Sequence, residues 1–355
     1  MIRFGVIGTG WRTTFFLRVT NARPDMFECV GVVTRDVEKS KDWAAPYGVK
    51  LFGSVDEMLA QKPMFVITSA PWDVNPALIT ELAEKNMPVL SETPPARTVP
   101  EMEALYKLVQ NGAKIAVAEQ YHLQPHHAAR IGLANSDKLG TVSQAQVSVA
   151  HGYHGISLIR RLLGIGYEDA TISALSFTSP LVAGLERDGL PEEETIKSSE
   201  QTIATLNFGD KLGIFDFTGD QYRSYIRKQR ILVRGERGEL INDTVRYLKD
   251  FRTPIQLDFL RLNAGENGNL EGYHFKGIQL GDEWVYKNPF APVAIDDEDI
   301  AIGQCMVKMA EYVDGYDAFY PLAEACQDRY LDIKIAESLE TGGPVRTSRQ
   351  AWAQD

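Results

Sequence analysis

The residues best suited to chemistry are crowded into one stretch. Five of the six histidines, His122, His126, His127, His151 and His154, fall between positions 122 and 154. Imidazole exchanges a proton near neutral pH, so such a cluster points to general acid–base work. Metal binding is the competing use. His122 and His126 have i,i+4 spacing, but Pro125 interrupts a continuous helix and no HExxH or paired carboxylate accompanies them, so no metal site is expected. Nucleophilic hydrolysis has no GxSxG elbow, and Cys29 falls in an expected buried strand. His126 and His127 read as structural residues at a helix start, and His274, in Gly272-Tyr273-His274, as incidental.

A second signal lies at the N-terminus, in Gly5-Val6-Ile7-Gly8-Thr9-Gly10-Trp11-Arg12-Thr13. Gly8 permits a tight strand-to-helix turn, and Gly10 lets the backbone approach a pyrophosphate held at the helix N-terminus. Thr13 replaces the third glycine of the fingerprint, and Arg12 could neutralise phosphate. The context, the opening of a βαβ unit, is the one the motif needs. Further on, Thr34 stands where NAD-preferring proteins carry an acid, and Arg35 follows it. Without that carboxylate a 2′-phosphate is not repelled, so NAD and NADP both remain open; Asp36 either serves the ribose or caps the next helix. Trp72 sits at the carboxyl end of the fourth strand, where an aromatic can stack on a nicotinamide or a sugar, or anchor a loop.

These groups need a scaffold. Apolar β-type runs at 2–7, 27–34, 49–52, 64–69, 88–91 and 114–119 alternate with helical patterns at 11–21, 37–47, 55–60, 76–86 and 99–111. That alternation means a parallel sheet with helices on both faces. After a helix near 125–135 the rhythm changes. Segments 140–149, 171–177, 200–208, 213–218, 224–235 and 239–242 alternate apolar and polar residues between Gly-rich turns, as in an antiparallel sheet covered on one face. Residues 187–194 read as a surface loop, Asp296–Asp299 as the acidic start of a helix running to 313, and 321–341 as a last helix stopped by Gly342-Gly343-Pro344.

With 355 residues and 44% of them hydrophobic, the chain can bury two cores. The expected domains are 1–120, dinucleotide-binding, and 121–355, a substrate-binding and oligomerisation α+β domain whose last helix can pack back on the first. A net charge of −11 argues against nucleic acid and anionic membrane as partners. Three scattered cysteines, no signal-peptide pattern and no long apolar run suggest a reduced, cytoplasmic protein without a membrane span.

The chain resembles the glucose–fructose oxidoreductase / inositol dehydrogenase / MocA (Gfo/Idh/MocA) family over nearly its whole length. The residues carrying the resemblance are the N-terminal GxG, Ser69-Ala70-Pro71, the run Pro88-Val89-Leu90-Ser91-Glu92-Thr93-Pro94, Gly152-Tyr153-His154, and 320–330. The resemblance implies a Rossmann domain followed by a large open, mainly antiparallel sheet, homo-oligomers through that sheet, and oxidation or reduction of a sugar, glycoside or cyclitol secondary hydroxyl with NAD or NADP. Together with the turn and strand-end residues above, this gives the expected cofactor set Gly8, Thr9, Gly10, Trp11, Arg12, Thr34, Arg35, Ser69, Ala70, Trp72, Asn75, Glu92, Thr93 and Gln120. The family's catalytic lysine is Thr93 here, and its aspartate is Ala150. His154 matches the family's histidine and is the candidate base. His151 or Tyr121 would join a relay replacing the lost groups, and His122 would touch substrate hydroxyls. Two alternatives stay open: 3-oxidation of a glycoside on tightly bound NAD feeding glycoside cleavage, and a non-catalytic dinucleotide or sugar sensor.

Overall fold

The computed structural model describes residues 1–186, 189–265 and 274–353. The first third is β1 (Ile2–Ile7), α1 (Thr13–Ala22), β2 (Phe27–Val33), α2 (Lys41–Ala44), β3 (Leu51–Phe52), α3 (Val55–Leu59), β4 (Phe65–Thr68), α4 (Asn75–Glu84), β5 (Val89–Ser91), α5 (Val99–Gln110) and β6 (Ile115–Val117). All six strands pair in parallel in the order β3-β2-β1-β4-β5-β6. Buried on both faces, they are continuous apolar runs rather than alternating ones. The order reverses between β1 and β4, the switch point at which open α/β sheets bind ligands.

The remainder is α6 (Pro125–Ala134), β7 (Val142–Ser148), α7 (Gly152–Leu163), β8 (Thr171–Val182), β9 (Ile196–Asn207), β10 (Leu212–Phe217), β11 (Arg230–Gly235), β12 (Gly238–Ile241), β13 (Thr244–Asp250), β14 (Thr253–Ala264), β15 (His274–Leu280), β16 (Glu283–Lys287), α8 (Asp297–Val313), α9 (Leu322–Thr341) and β17 (Val345–Arg346). Its strands form one mixed sheet, β16-β15-β14-β13-β12-β11-β7-β10-β9-β8-β17, antiparallel except where β10 runs parallel to β7. Helix α7 packs its apolar side on this sheet.

The two C-terminal helices return to the first domain from opposite sides. Ile300, Cys305 and Met309 of α8 share a core with Phe16 of α1 and Ile67 of β4, whereas Tyr320, Leu322 and Cys326 share one with Val66 and Val117 on the other face. This return brings the start of α8 beside the β1–α1 turn.

Several expected boundaries move. The helix expected over 37–47 is only α2 and a 3-10 turn at Ala45–Tyr47, because Pro46 interrupts it and Gly48 turns left-handed at φ 62°. The strand expected over 224–235 begins only at Arg230; the stretch before it is loop, following a 3-10 turn at Gly219–Tyr222. Strands β13 to β16 and helix α7 escape the periodicity reading. Of the expected loop 187–194, Arg187 and Asp188 lie outside the described residues, as do Gly272 and Tyr273 beside His274. Among the described residues no helix is long and apolar enough to cross a membrane, and no cluster of His, Cys, Asp and Glu is placed to hold a metal.

Candidate active site

A cleft of about 590 Å³ opens at the switch point, lined by Thr9–Arg12, Thr34, Arg35, Ser69–Trp72, Asn75, Glu92–Pro94, His151 and His154. Its turn has the geometry the glycines anticipate. Gly8 lies at φ +110°, and a Cβ there would stand 2.1 Å from the Ser69 carbonyl oxygen. A Cβ on Gly10 would meet only that oxygen, at 3.9 Å, so the backbone is open to a close-lying phosphate. Thr13 is fully buried and its hydroxyl donates to the Gly8 carbonyl at 2.9 Å, closing the turn that a third glycine would otherwise pack. The chain's own residues thus fit a dinucleotide. Gly8→Ala should weaken NAD binding at least about tenfold by moving either the turn or Ser69; titration with NADH fluorescence checks this, and unchanged affinity would show that the turn is not the binding element.

Arg12 does not have the expected role of a free phosphate cation. Its NH1 donates to Glu298 Oε1 at 2.5 Å and its Nε stands 3.7 Å from Glu92 Oε2. Glu298 also accepts from Gln120 Nε2 at 3.1 Å and Gln124 Nε2 at 2.5 Å. The acidic helix start does exist, with Asp296 capping the Asp299 N–H at 2.7 Å, but Glu298 turns inward instead of serving the dipole. Burial pushes the Glu92 carboxyl up to about 7 despite the nearby Arg12 guanidinium. Arg35 is the exposed cation on the cleft wall. Asp36 accepts from the Lys39 N–H at 3.1 Å, shaping the turn ahead of α2.

At the opposite wall, His154 Nδ1 lies 2.6 Å from Glu119 Oε2, while Glu119 Oε1 accepts from the Tyr121 N–H at 3.2 Å. Glu119 is wholly buried at the exit of β6, and burial pushes its carboxyl up to about 8. The same burial holds His154 well below the ordinary imidazole range, with the Arg12 charge adding to it. The Tyr121 ring packs on His154 at 4.6 Å between centroids, and His151 stands edge-on to it at 4.9 Å. His151 Nδ1 is 2.6 Å from the Tyr222 hydroxyl. Both histidines sit at the start of α7, where the backbone of Gly152 lies close to α9: a Cβ there would stand 2.1 Å from Asp332 Oδ1 and force that carboxylate to move.

His122 is placed elsewhere. It is partly buried against Phe319 and Tyr320, at ring distances of 6.4 and 5.1 Å, and does not line the cleft. The 3-10 turn Tyr121–Leu123 directs it behind the β6 exit. Gln120 likewise lies under the lining, holding Glu298. Asn75 is buried and donates to Ser91 Oγ at 3.0 Å. Trp72 is about half exposed on the cleft rim. The His126 and His127 rings meet at 4.1 Å, tilted 47° to one another and outside the lining, His126 Nδ1 being 3.6 Å from Asp297. Glu119, Tyr222 and Glu298 were not singled out from the sequence; of the three only Glu119 had a signal, a carboxylate at the end of a strand in an α/β sheet.

Residues 2–120 match the family model GFO_IDH_MocA, an oxidoreductase family with an NAD-binding Rossmann fold. This region belongs to the Gfo/Idh/MocA family. No curated protein sequence matches the chain. Among solved structures, levoglucosan dehydrogenase in complex with NADH and levoglucosan is similar at TM-score 0.69 and 14% identity, covering 98% of this chain and 99% of that one. A putative myo-inositol dehydrogenase from Sinorhizobium meliloti 1021 gives 0.67 and 17%, with 98% and 100% covered. The WlbA dehydrogenase from Bordetella pertussis, in complex with NADH and UDP-GlcNAcA, gives 0.64 and 17%, with 98% and 99% covered. At these identities the likeness is one of fold. The match makes residues 2–120 an NAD-binding Rossmann segment of oxidoreductase type.

Proposed function

We propose that the chain is an NAD(P)-dependent oxidoreductase acting on a secondary hydroxyl of a sugar, glycoside or cyclitol, with Glu119 and His154 as its proton relay. The observation that carries this reading is the 2.6 Å contact between the two, with His154 in the wall of the cleft that also contains the Gly8–Gly10 turn. The start of α1 would hold the pyrophosphate, Thr34 and Arg35 the adenosine ribose, and Ser69–Trp72, Asn75, Glu92 and Thr93 the nicotinamide end. When bound there, the nicotinamide takes or gives the hydride.

The protein's part is the proton. In the oxidation direction the alcohol proton passes to His154 Nε2, while the Nδ1 proton passes to Glu119 Oε2. The imidazole is neutral before and after, and the carboxylate becomes a carboxylic acid. Burial favours this outcome, because it disfavours both the carboxylate and an imidazolium. Glu119 thereby supplies the proton sink that Thr93 cannot. Tyr121 packs the imidazole in place.

The pH dependence follows from the raised carboxyl. The relay accepts a proton only when Glu119 is ionised, so oxidation should accelerate as pH rises and level off above about 8. Glu119→Gln should lower turnover by roughly tenfold or more and abolish that ascending limb; a limb that survives in the variant would remove Glu119 from the mechanism.

The reading is tested by mass spectrometry of nucleotide retained through purification, then by absorbance at 340 nm across polyols and glycosides, with myo-inositol and levoglucosan as first probes. Retained NAD that does not exchange would favour glycoside 3-oxidation feeding cleavage. Nucleotide or sugar binding with no absorbance change on any probe would favour the sensor. Exposed Leu175, Phe177 and Leu260 on the large sheet support homo-oligomers through that face, and sedimentation of the full chain checks this.

A further inference from the structure

Beside the histidines the chain carries positive charge that its own fold does not use. Residues 223–230, Arg-Ser-Tyr-Ile-Arg-Lys-Gln-Arg, bring Arg223, Arg227, Lys228 and Arg230 together with no carboxylate among them, in a chain whose net charge is −11. Arg230 pairs with Asp216 at 2.7 Å. Among the described residues Arg223, Arg227 and Lys228 have no acidic partner, and the Arg227 guanidinium reaches only the Ile226 carbonyl, at 3.4 Å. The nearest carboxylate along the chain, Asp220, is already engaged by Lys197 at 2.7 Å and by the Ser199 hydroxyl at 2.6 Å.

A run of charge is ordinarily a solvated surface, but this loop is fixed at both ends to the segment that leads into His151. At its first end the Tyr222 hydroxyl accepts from the His151 backbone N–H at 3.1 Å, and Phe217 packs edge-on against the Tyr222 ring at 5.2 Å. At its second end Gln229 Nε2 donates to the Val149 carbonyl at 3.4 Å, and Arg230 enters β11 opposite Ser148. Gln221 joins the two ends, its amide donating to the Ser148 carbonyl at 3.0 Å and the Lys228 carbonyl at 2.9 Å. A loop so short extends at most about 10 Å from its anchors, at roughly 3.3–3.6 Å per residue. It therefore stays beside the cleft wall that His151 and His154 form. At its tip Tyr225 is 67% and Ile226 63% exposed, an apolar pair flanked by the unpaired cations.

We propose that loop 223–228 recognises the substrate, and that the substrate is a sugar or glycoside carrying an anionic group, a carboxylate or a phosphate. Arg223, Arg227 and Lys228 receive the anion, and Tyr225 and Ile226 cover the carbon skeleton next to it. Guanidinium groups suit both anions, since each offers paired N–H donors to two oxygens, and the lysine adds a compact charge on a flexible stem. A substrate whose hydroxyl lies at His154 reaches the loop past His151 and Tyr222, so the anion is held away from the reacting carbon. Its contribution falls on binding and orientation rather than on proton transfer. The turnover part of this inference rests on the oxidoreductase reading; the binding part does not.

The test sets methyl glucoside against three anionic probes, methyl glucuronide, methyl glucoside 6-phosphate and 4-carboxyphenyl glucoside, using the full chain with NAD or NADP. Turnover is followed at 340 nm and binding by calorimetry. At least one anionic probe should exceed the neutral one in kcat/KM by about tenfold at low salt and lose most of that advantage at about 0.5 M salt. Which probe leads separates carboxylate from phosphate. The triple substitution Arg223→Gln, Arg227→Gln, Lys228→Gln should raise the KM of the leading probe about tenfold, with kcat falling less than KM rises. All three residues lie in a surface loop, and circular dichroism checks the fold of the variant. Equal kcat/KM for neutral and anionic probes, an advantage indifferent to salt, or an unchanged KM in the triple variant overturns the proposal and leaves the oxidoreductase reading standing. If no probe is turned over, calorimetry decides: tighter binding of an anionic probe that the triple variant loses supports the loop and counts against the oxidoreductase reading, and absence of any such preference overturns the loop.

Discussion

Replacing His154 by alanine is expected to lower kcat by at least about a hundredfold, with the KM for the dinucleotide unchanged. The reason lies in where the proton can go. Glu119 is wholly buried, and its Oε2 reaches the cleft through the imidazole at 2.6 Å. Without the ring, the carboxyl stays at the β6 exit, and its raised affinity for a proton is of no use to a substrate it does not touch. His151 has a different group behind it, its Nδ1 lying 2.6 Å from the Tyr222 hydroxyl rather than against a carboxylate. The nucleotide turn, formed by Gly8, Gly10 and Ser69, is made by other residues and should still bind. Added imidazole should restore part of the rate by occupying the vacated space. Steady-state kinetics with the best substrate from the 340 nm screen decides the matter: an unchanged kcat would take His154 out of the mechanism.

The largest expected effect on stability lies behind the site, at Asp328. The Arg160 side chain of α7 is 1% exposed, and its NH1 donates to Asp328 Oδ1 of α9 at 2.7 Å. The same guanidinium donates to the Gly166 carbonyl and pairs with Glu324, while the Tyr320 hydroxyl donates to Asp328 Oδ2. Burial pushes the Asp328 carboxyl up to about 7, although Arg160 opposes it. Asp328→Ala would leave a buried guanidinium short of its strongest partner and should cost about 3–5 kcal/mol in urea unfolding. The double substitution Asp328→Leu with Arg160→Met removes both charges and should recover most of that loss, since a buried pair replaced by apolar groups of similar volume is often neutral. A single-variant loss under about 1 kcal/mol would show that the network is not what joins α7 to α9.

The folded protein should also lose stability as pH rises above about 6.5. Glu92, raised to about 7, holds a proton that its unfolded form releases above the ordinary carboxylate range, so its contribution is full at low pH and fades from about 4.5 to 7. Across pH 4.5 to 6.5 the Glu119–His154 pair holds one proton in the fold and, to a first approximation, one in the unfolded chain. Above 6.5 only the fold retains it, up to about 8. Below about 6.5 the desolvated, neutral His122, His127 and His151 oppose this trend, because only their unfolded forms bind a proton there, so the unfolding temperature should fall by a few degrees between about pH 6.5 and 8, and Glu92→Gln should flatten the start of that decline. A midpoint that rises over this range would contradict the protonated, buried carboxyls.

The parallel domain was legible because its signals are local. β1 is a short apolar run followed by Gly8 and Gly10, the turn must be tight, and the alternation of runs with amphipathic helices forces crossovers. His154 was legible as a residue type beside a family motif. Glu298 was not, since a carboxylate in the first turn of a helix is ordinary, and its turn toward Arg12 depends on α8 crossing back over α1. Nothing local marked Tyr222 either, because its partner lies 71 positions away. His122 shows the converse: its type fits the chemistry, but the 3-10 turn packs it against Tyr320, away from the cleft.

By itself, then, the sequence determined a dinucleotide turn at the end of β1, a second domain built on a mainly antiparallel sheet, and a supply of imidazoles near the domain boundary. These follow from periodicity, glycine conformation and residue chemistry within a few positions. Only the tertiary structure decided which two imidazoles line the cleft, that Glu119 stands behind one and Tyr222 behind the other, and that Arg12 is already paired. Proton affinity and hydrogen-bond direction depend on burial and on neighbours brought together from distant parts of the chain, which no local pattern encodes.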